Sequence, residues 1–234
     1  HRVVGEKPPT LLDALRETKD SFELEKIREV CSKAEKIIIN TMQFVKGCRI
    51  LDGYLYEDDS RLNVGRVKKL IRRLLAEEGL VATEDIIFAC GARSSDPHYT
   101  GEDSDYIKAD EPIVFDLFPQ QAGGYWADIT RTYVVGRPSR ELKSIHEAVL
   151  EAQLKALDLL HEGVDGKYVM NQVCDSFENR GYKTIRSALR GDRSAESEGF
   201  IHSLGHGLGL TIGEEPYLSL LTGGILKDCL LYTS

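Results

Sequence analysis

A chain of 234 residues, 41% hydrophobic and 29% charged, with a formal net charge of −8, has the length of one large domain and the composition of an ordinary globular protein. Its acidity argues against nucleic acid or an anionic membrane surface as a main partner, since both attract basic patches. Five cysteines, at 31, 48, 90, 174 and 229, form no Cys-x-x-Cys pair and are odd in number. That speaks against a zinc knuckle or a disulfide framework and for a reducing, cytoplasmic compartment. No apolar run approaches the ~20 residues of a membrane span.

Residues 1–13 carry Pro8-Pro9 and little periodicity, and read as a linker or the remnant of an N-terminal domain; His1-Arg2-Val3-Val4 reads as a cut end, not a signal peptide. Asp20 and Glu23 form an Asp variant of a capping box. Leu24, Ile27, Cys31, Ala34, Ile38, Thr41 and Val45 then recur at steps of three and four, which predicts a long amphipathic helix ending near Gly47. A second helix is expected from about Asn63 to Gly79, with Lys68-Lys69 and Arg72-Arg73 as a solvated face. Ile86 to Cys90 and Ile113 to Phe118 read as strands, joined by a polar loop. After a turn over Pro119–Gly124, Tyr125 to Val135 alternates as a strand, with Asp128, Thr130 and Thr132 on one face.

Ser139 is expected to cap a third helix with Ile145, Val149, Ala152, Ala156 and Leu159 as its apolar stripe, and Asp165 a fourth that stops at Gly181. Lys183 to Glu198 is polar and gives no clear period. Gly199 to Glu215 is glycine-rich and strand-like. Helix, helix, strands then occurs twice, as in an α+β fold with two related halves around an antiparallel sheet.

Asp116 and Asp128 are the sharpest chemical feature. Hard divalent cations favour carboxylate oxygens, and two carboxylates on neighbouring strands can share two ions. Gly123-Gly124 would let a hairpin bring both to one face. An edge-strand Asp facing water, or one paired with Arg131, would leave the same spacing. His206 stands between glycines in His202-Ser203-Leu204-Gly205-His206-Gly207-Leu208-Gly209, where a backbone or ligand can approach closely. It is a candidate metal ligand, and His202 a candidate substrate contact; a glycine-rich turn with a structural histidine is the plainer alternative. A phosphate loop is disfavoured, because Leu210-Thr211-Ile212 looks extended and Glu214-Glu215-Pro216 is expected to break structure. His98, in the polar loop, could hold a substrate oxygen or simply face solvent.

Taken together, Ile113-Val114-Phe115-Asp116, Asp128-Ile129-Thr130-Arg131-Thr132, the Gly199–Leu210 segment and Glu215-Pro216 resemble the pita-bread metallopeptidases, over roughly Leu15 to Ser219. The His-x-x-Gly-His-Gly pattern leans toward the Xaa-Pro dipeptidase and Xaa-Pro aminopeptidase branch. The resemblance implies a peptide-hydrolysing site holding two divalent ions (Mn, Co, Zn or Fe) through two Asp, one His and two Glu. Asp116, Asp128 and His206 match the first three. His98 and His202 match catalytic histidines that contact substrate, and Thr130 matches a supporting hydroxyl. The branch often forms homodimers.

Three departures stand out. No strand of this chain matches those that carry the family's Glu ligands, so the chain alone is expected to be inactive, with Glu214 and Glu215 as solvated or rim charges. Gly213 stands where the family has a histidine. The step from Asp116 to Asp128 is twelve residues, one longer than the common spacing. Residues 14–222 are read as the catalytic domain and 223–234 as a non-native or truncated tail. A catalytically inactive peptide-binding module and a creatinase-like amidohydrolase are the alternative functions.

Overall fold

A computed structural model describes residues 10–97, 99–228 and 232–233, leaving His98 and Cys229 outside. Thr10 opens helix α1 (Leu11–Arg16) with a capping box, its side chain accepting from the Asp13 amide while the Asp13 carboxylate reaches back to the Thr10 amide. The segment expected to be linker is therefore helical from Leu11. Helix α2 (Ser21–Lys46) follows, and its predicted face holds: Ile27, Ala34, Ile38, Thr41 and Val45 are buried.

The chain divides into two compact units, residues 22–143 and residues 1–21 with 144–234. In the first, α2 leads into a meander the sequence did not announce: β1 (Arg49–Leu51), β2 (Tyr54–Glu57) and β3 (Ser60–Arg61). Asn63 caps α3 (Val64–Glu77) by accepting from the Arg66 amide. Here one expectation fails. Lys68 is only 2% exposed, and its ammonium donates to Asp85 at 3.1 Å and to the Gly101 carbonyl at 3.0 Å. The α3 lysine pair is not a uniformly solvated face, because a buried ammonium is tolerated once its donors are met.

Two short strands, β4 (Leu80–Val81) and β7 (Gln120–Gln121), pair with each other. The main sheet of this unit has the order β5-β6-β8, from β5 (Ile87–Cys90), β6 (Pro112–Leu117) and β8 (Ile129–Val134). Both ladders are antiparallel. Along β6 the side chains alternate: Ile113, Phe115 and Leu117 are buried in the cluster formed with α2 and α3, whereas Val114 and Asp116 are half-buried on the opposite face. β8 is shorter than expected. It starts at Ile129, since Tyr125 to Asp128 has no ladder partner beyond a Gln120–Trp126 bridge.

Helix α4 (Arg140–Leu159), which begins in the last residues of the first unit, and α5 (Gly166–Asn179) are capped as predicted, by the Ser139 hydroxyl accepting from the Leu142 amide and by the Asp165 carboxylate accepting from the Lys167 amide. The buried stripe of α4 is Ala148, Ala152 and Ala156, clustered with Val169, Val173 and Phe177. Ile145 and Val149 are 41% and 50% exposed, contrary to the expected stripe. Alanines let helices approach closely, and that packing outweighs the bulk of the neighbouring aliphatic row. Short helices α6 (Ile185–Leu189) and α7 (Ala195–Glu198) fill the stretch without clear period.

The last sheet has the order β10-β9-β11, from β9 (Gly205–Gly207), β10 (Glu214–Leu218) and β11 (Tyr232–Thr233). Pro216 was expected to break structure, yet it lies within β10. That strand is at the sheet edge and its register shifts between Glu214 and Leu218, the two circumstances that accommodate a residue without an N–H. Leu226 is buried at 3%, and its amide and carbonyl bond Val164 and Gly163. Residues just beyond 222 therefore belong to the packed unit rather than to a separate tail. The architecture is α+β with antiparallel ladders throughout, and each unit sets helices before a sheet.

Candidate active site

Asp116 lies on the central strand of its sheet, not on an edge. It stands opposite Thr130 in the β6–β8 register, so the two side chains share a face. The Thr130 hydroxyl donates to Asp116 Oδ1 at 2.8 Å, which fixes the carboxylate's rotation. Arg131 turns away and donates to the Thr130 carbonyl, so it is not the ion-pair partner that the spacing also allowed. Asp128 sits one residue before β8, half-buried, two residues from Thr130 and thus near the same face in the strand's alternation. Its charge is felt by Cys31 on α2, whose thiol is pushed up first by burial and then by Asp128.

His206 occupies the middle of β9, half-buried, its ring 6.2 Å from that of Tyr217. Its Nδ1 lies 3.0 Å from the Gly207 carbonyl oxygen. A carbonyl only accepts, so in the neutral ring the proton is on Nδ1 and the lone pair on Nε2, the arrangement of a metal-ligating imidazole oriented by its other nitrogen. The flanking glycines have a packing reason. A Cβ at Gly207 would come within 2.8 Å of the Glu214 and Glu215 carbonyl oxygens, and one at Gly209 within 2.5 Å of Glu214 Oε2. His202 is exposed in a bend ahead of β9. His98 is not described, but Tyr99 beside it is anchored by Asp105 and lies under the Arg93 guanidinium at 3.7 Å.

Asp116, Thr130 and Asp128 thus belong to one unit, and His202 and His206 to the other. Among the described residues no group of three or more His, Cys, Asp or Glu side chains is gathered closely enough to hold a metal ion. The donor set itself suits a hard or borderline divalent cation: a strand-borne carboxylate oriented by a hydroxyl, a second carboxylate one residue before the neighbouring strand, and an imidazole with its lone pair on Nε2.

Glu214 overturns its assignment as a solvated charge. It is 6% exposed, pairs with Lys19 at 2.8 Å and accepts from the Thr211 amide. Sequence reasoning missed this pair because its partners stand 195 positions apart. Glu215 is half-buried and its carboxyl is raised, by burial first and then by Glu17 and Asp13. The four described cysteines are unbridged, and burial is the main cause raising every one of their thiols, Cys90 to about 12. None is a thiolate nucleophile at neutral pH. No helix among the described residues is long and apolar enough to cross a membrane.

An α+β scaffold with Asp116 on a strand, Asp128 just before one and a glycine-flanked histidine suits a metal-dependent hydrolase. The chain belongs to metallopeptidase family M24, whose profile matches residues 25–232. It is 32% identical over 219 residues to the Xaa-Pro dipeptidase of Pyrococcus furiosus, covering 94% of this chain and 55% of that protein. Among solved structures, the prolidase from Pyrococcus furiosus aligns with a TM-score of 0.77 at 30% identity, covering 95% of this chain and 58% of that one. The X-Pro aminopeptidase from Thermotoga maritima aligns with a TM-score of 0.76 at 29% identity, covering 94% and 55%. The fold is the pita-bread fold of these enzymes, as the sequence motifs implied. The chain spans about half the length of the curated relatives it matches.

Proposed function

We propose that this chain is the part of an Xaa-Pro metallopeptidase that contributes Asp116, Asp128 and His206 to a site for two divalent ions, and that the full-length enzyme hydrolyses peptides with proline in the second position. The observation that carries the proposal is the Thr130 hydroxyl holding Asp116 on the central strand, with Asp128 at the adjoining strand's start. An aspartate oriented in this way presents its second oxygen in a fixed direction, as a metal ligand must. Bound divalent ions supply a hydroxide at neutral pH and polarise the scissile carbonyl. In this reading His206 offers Nε2 to the site, and His98 and His202 contact the substrate. Free thiols suit a reducing, cytoplasmic compartment.

With three of the five ligands that the family resemblance implies, the chain by itself does not turn over peptide. The test is to assay the full-length protein and residues 1–234 on Gly-Pro with Mn²⁺ or Co²⁺, measuring bound metal in parallel. Asp116→Asn and Asp128→Asn should lose metal and activity together, whereas His202→Ala should lose turnover while keeping metal. Full metal retention by both aspartate variants would overturn the ligand assignment. A full-length protein that binds metal and peptide without cleaving it would instead be the binding module, a reading that Gly213 favours.

A further inference from the structure

Helix α4 carries an apolar row that faces outward. Leu150, Leu154 and Leu157 recur at steps of four and three and are 44%, 53% and 53% exposed. At 3.6 residues per turn this row lies nearly opposite Ala148, Ala152 and Ala156, which pack against Val169, Val173 and Phe177 of α5. A groove of about 440 Å³ runs along the leucines, lined by Glu147, Leu150, Glu151, Leu154, Lys155 and Asp158, all on α4 and all in the second unit. We propose that this face docks a basic amphipathic helix of a partner protein, with its apolar residues on the leucine row and its Lys or Arg side chains against the carboxylates.

The spacing calls for a helix. Single exposed leucines are ordinary on a protein surface, but three in register beside a groove mark a contact surface. Steps of four and three form the seam along which two helices interlock, and a helix held in a groove anchors itself through the same spacing on its own side. An extended peptide is held mainly by backbone hydrogen bonds at a sheet edge, whereas the backbone groups of this part of α4 are already bonded within the helix.

Charge sets the sign of the partner. Three carboxylates and one ammonium line the groove. The ammonium is drawn off toward α5, where Lys155 donates to the Gln172 carbonyl at 3.1 Å and to the Ser176 hydroxyl at 3.3 Å. Glu151 is met by Arg180. Glu147 and Asp158, about three turns apart, are exposed and make no ion pair among the described residues. A second copy of this chain would bring the same carboxylates and a formal net charge of −8, and an anionic lipid surface would also meet like charge. Both are opposed where a basic helix is attracted. None of these residues belongs to the candidate metal site, so the docking face and the peptidase reading can fail separately.

The experiment is fluorescence anisotropy on residues 1–234 with a labelled peptide of about 20 residues, built from Leu, Lys and Ala, with Leu at steps of three and four and Lys beside it. An isomer with the same residues scattered and a version with Gln for every Lys accompany it. The striped Lys peptide should bind, and each companion should bind at least about tenfold more weakly. Leu154→Gln should weaken the striped peptide at least about tenfold. Glu147→Gln combined with Asp158→Asn should weaken it about tenfold at low salt while leaving the Gln peptide unchanged. The substituted side chains are exposed, so far-UV circular dichroism should not move. No binding of the striped peptide, equal binding of the scattered isomer, or unchanged binding by Leu154→Gln overturns the proposal. So does a dimer in sedimentation velocity that Leu154→Gln converts to monomer, since a second copy would then cover the face. So does failure of the full-length protein to bind the striped peptide when residues 1–234 bind it, since its own remainder would then cover the face.

Discussion

Replacing Lys19 by methionine keeps the aliphatic stem and removes the ammonium from a pair whose side chains are 2% and 5% exposed. At a separation of 2.8 Å and an effective dielectric of about 20, the attraction lost is about 6 kcal/mol. Part of that was already offset by the cost of desolvating two ions, and breaking such a buried pair typically costs about 3–5 kcal/mol. Lys19→Met should therefore lower stability by about 3–4 kcal/mol, read as a shift of the urea midpoint by far-UV circular dichroism. Adding Glu214→Gln, whose amide oxygen can still accept from the Thr211 amide, should restore most of the loss. Lys108→Met, which breaks a pair 47% and 40% exposed, is the control and should cost under about 1 kcal/mol. If Lys19→Met also costs under about 1 kcal/mol, the Lys19–Glu214 pair behaves as a surface pair and the reasoning fails.

Thr41→Val should stabilise the chain by about 1 kcal/mol, because the Thr41 hydroxyl is buried with no hydrogen-bond partner among the described residues; thermal unfolding measures it. Thr130→Val should weaken metal binding by the full-length protein about 10–100-fold, measured by metal titration, with little change in folding. Glu215→Gln should stabilise the fold at neutral pH. Its carboxyl is raised in the fold, so the ionised form opposes folding; the contribution favours folding at low pH and is lost as pH rises through the raised value. The variant's advantage should accordingly disappear in mildly acidic urea titrations, and an advantage that grows on acidification would contradict the cause given.

Local signals carried most of the fold. The α2 stripe, the start of α3 at Asn63, the Ser139 and Asp165 caps and the apolar run of β6 all depend on neighbours within one or two turns, and all are where spacing put them. The misreadings concern choices that only tertiary packing makes. Helix α4 carries two overlapping apolar rows: the expected Ala152 and Ala156 are buried, but hydrophobicity alone favours Ile145 and Val149 over the smaller Ala148 that is buried in their place. Lys68 and Glu214 are charged residues that periodicity assigns to solvent, and each is buried because a remote partner meets it. At the candidate site, Asp116 was legible as a charge inside an apolar run, and the Thr130 bond followed from strand pairing.

Pro216 has a consequence for how this protein behaves in a crowded solution. An outer strand normally offers a row of donors and acceptors on which another chain can grow. Here the outer strand β10 lacks a donor at its centre, and further along Tyr217 is already bridged by Gly223 while Gly166 lies so close that a Cβ would come within 2.6 Å of the Tyr217 carbonyl oxygen. A second molecule finds no continuous template along that side. Self-association through strand addition beside β10 is thereby blocked by the native chain itself, without any charge being spent on keeping copies apart.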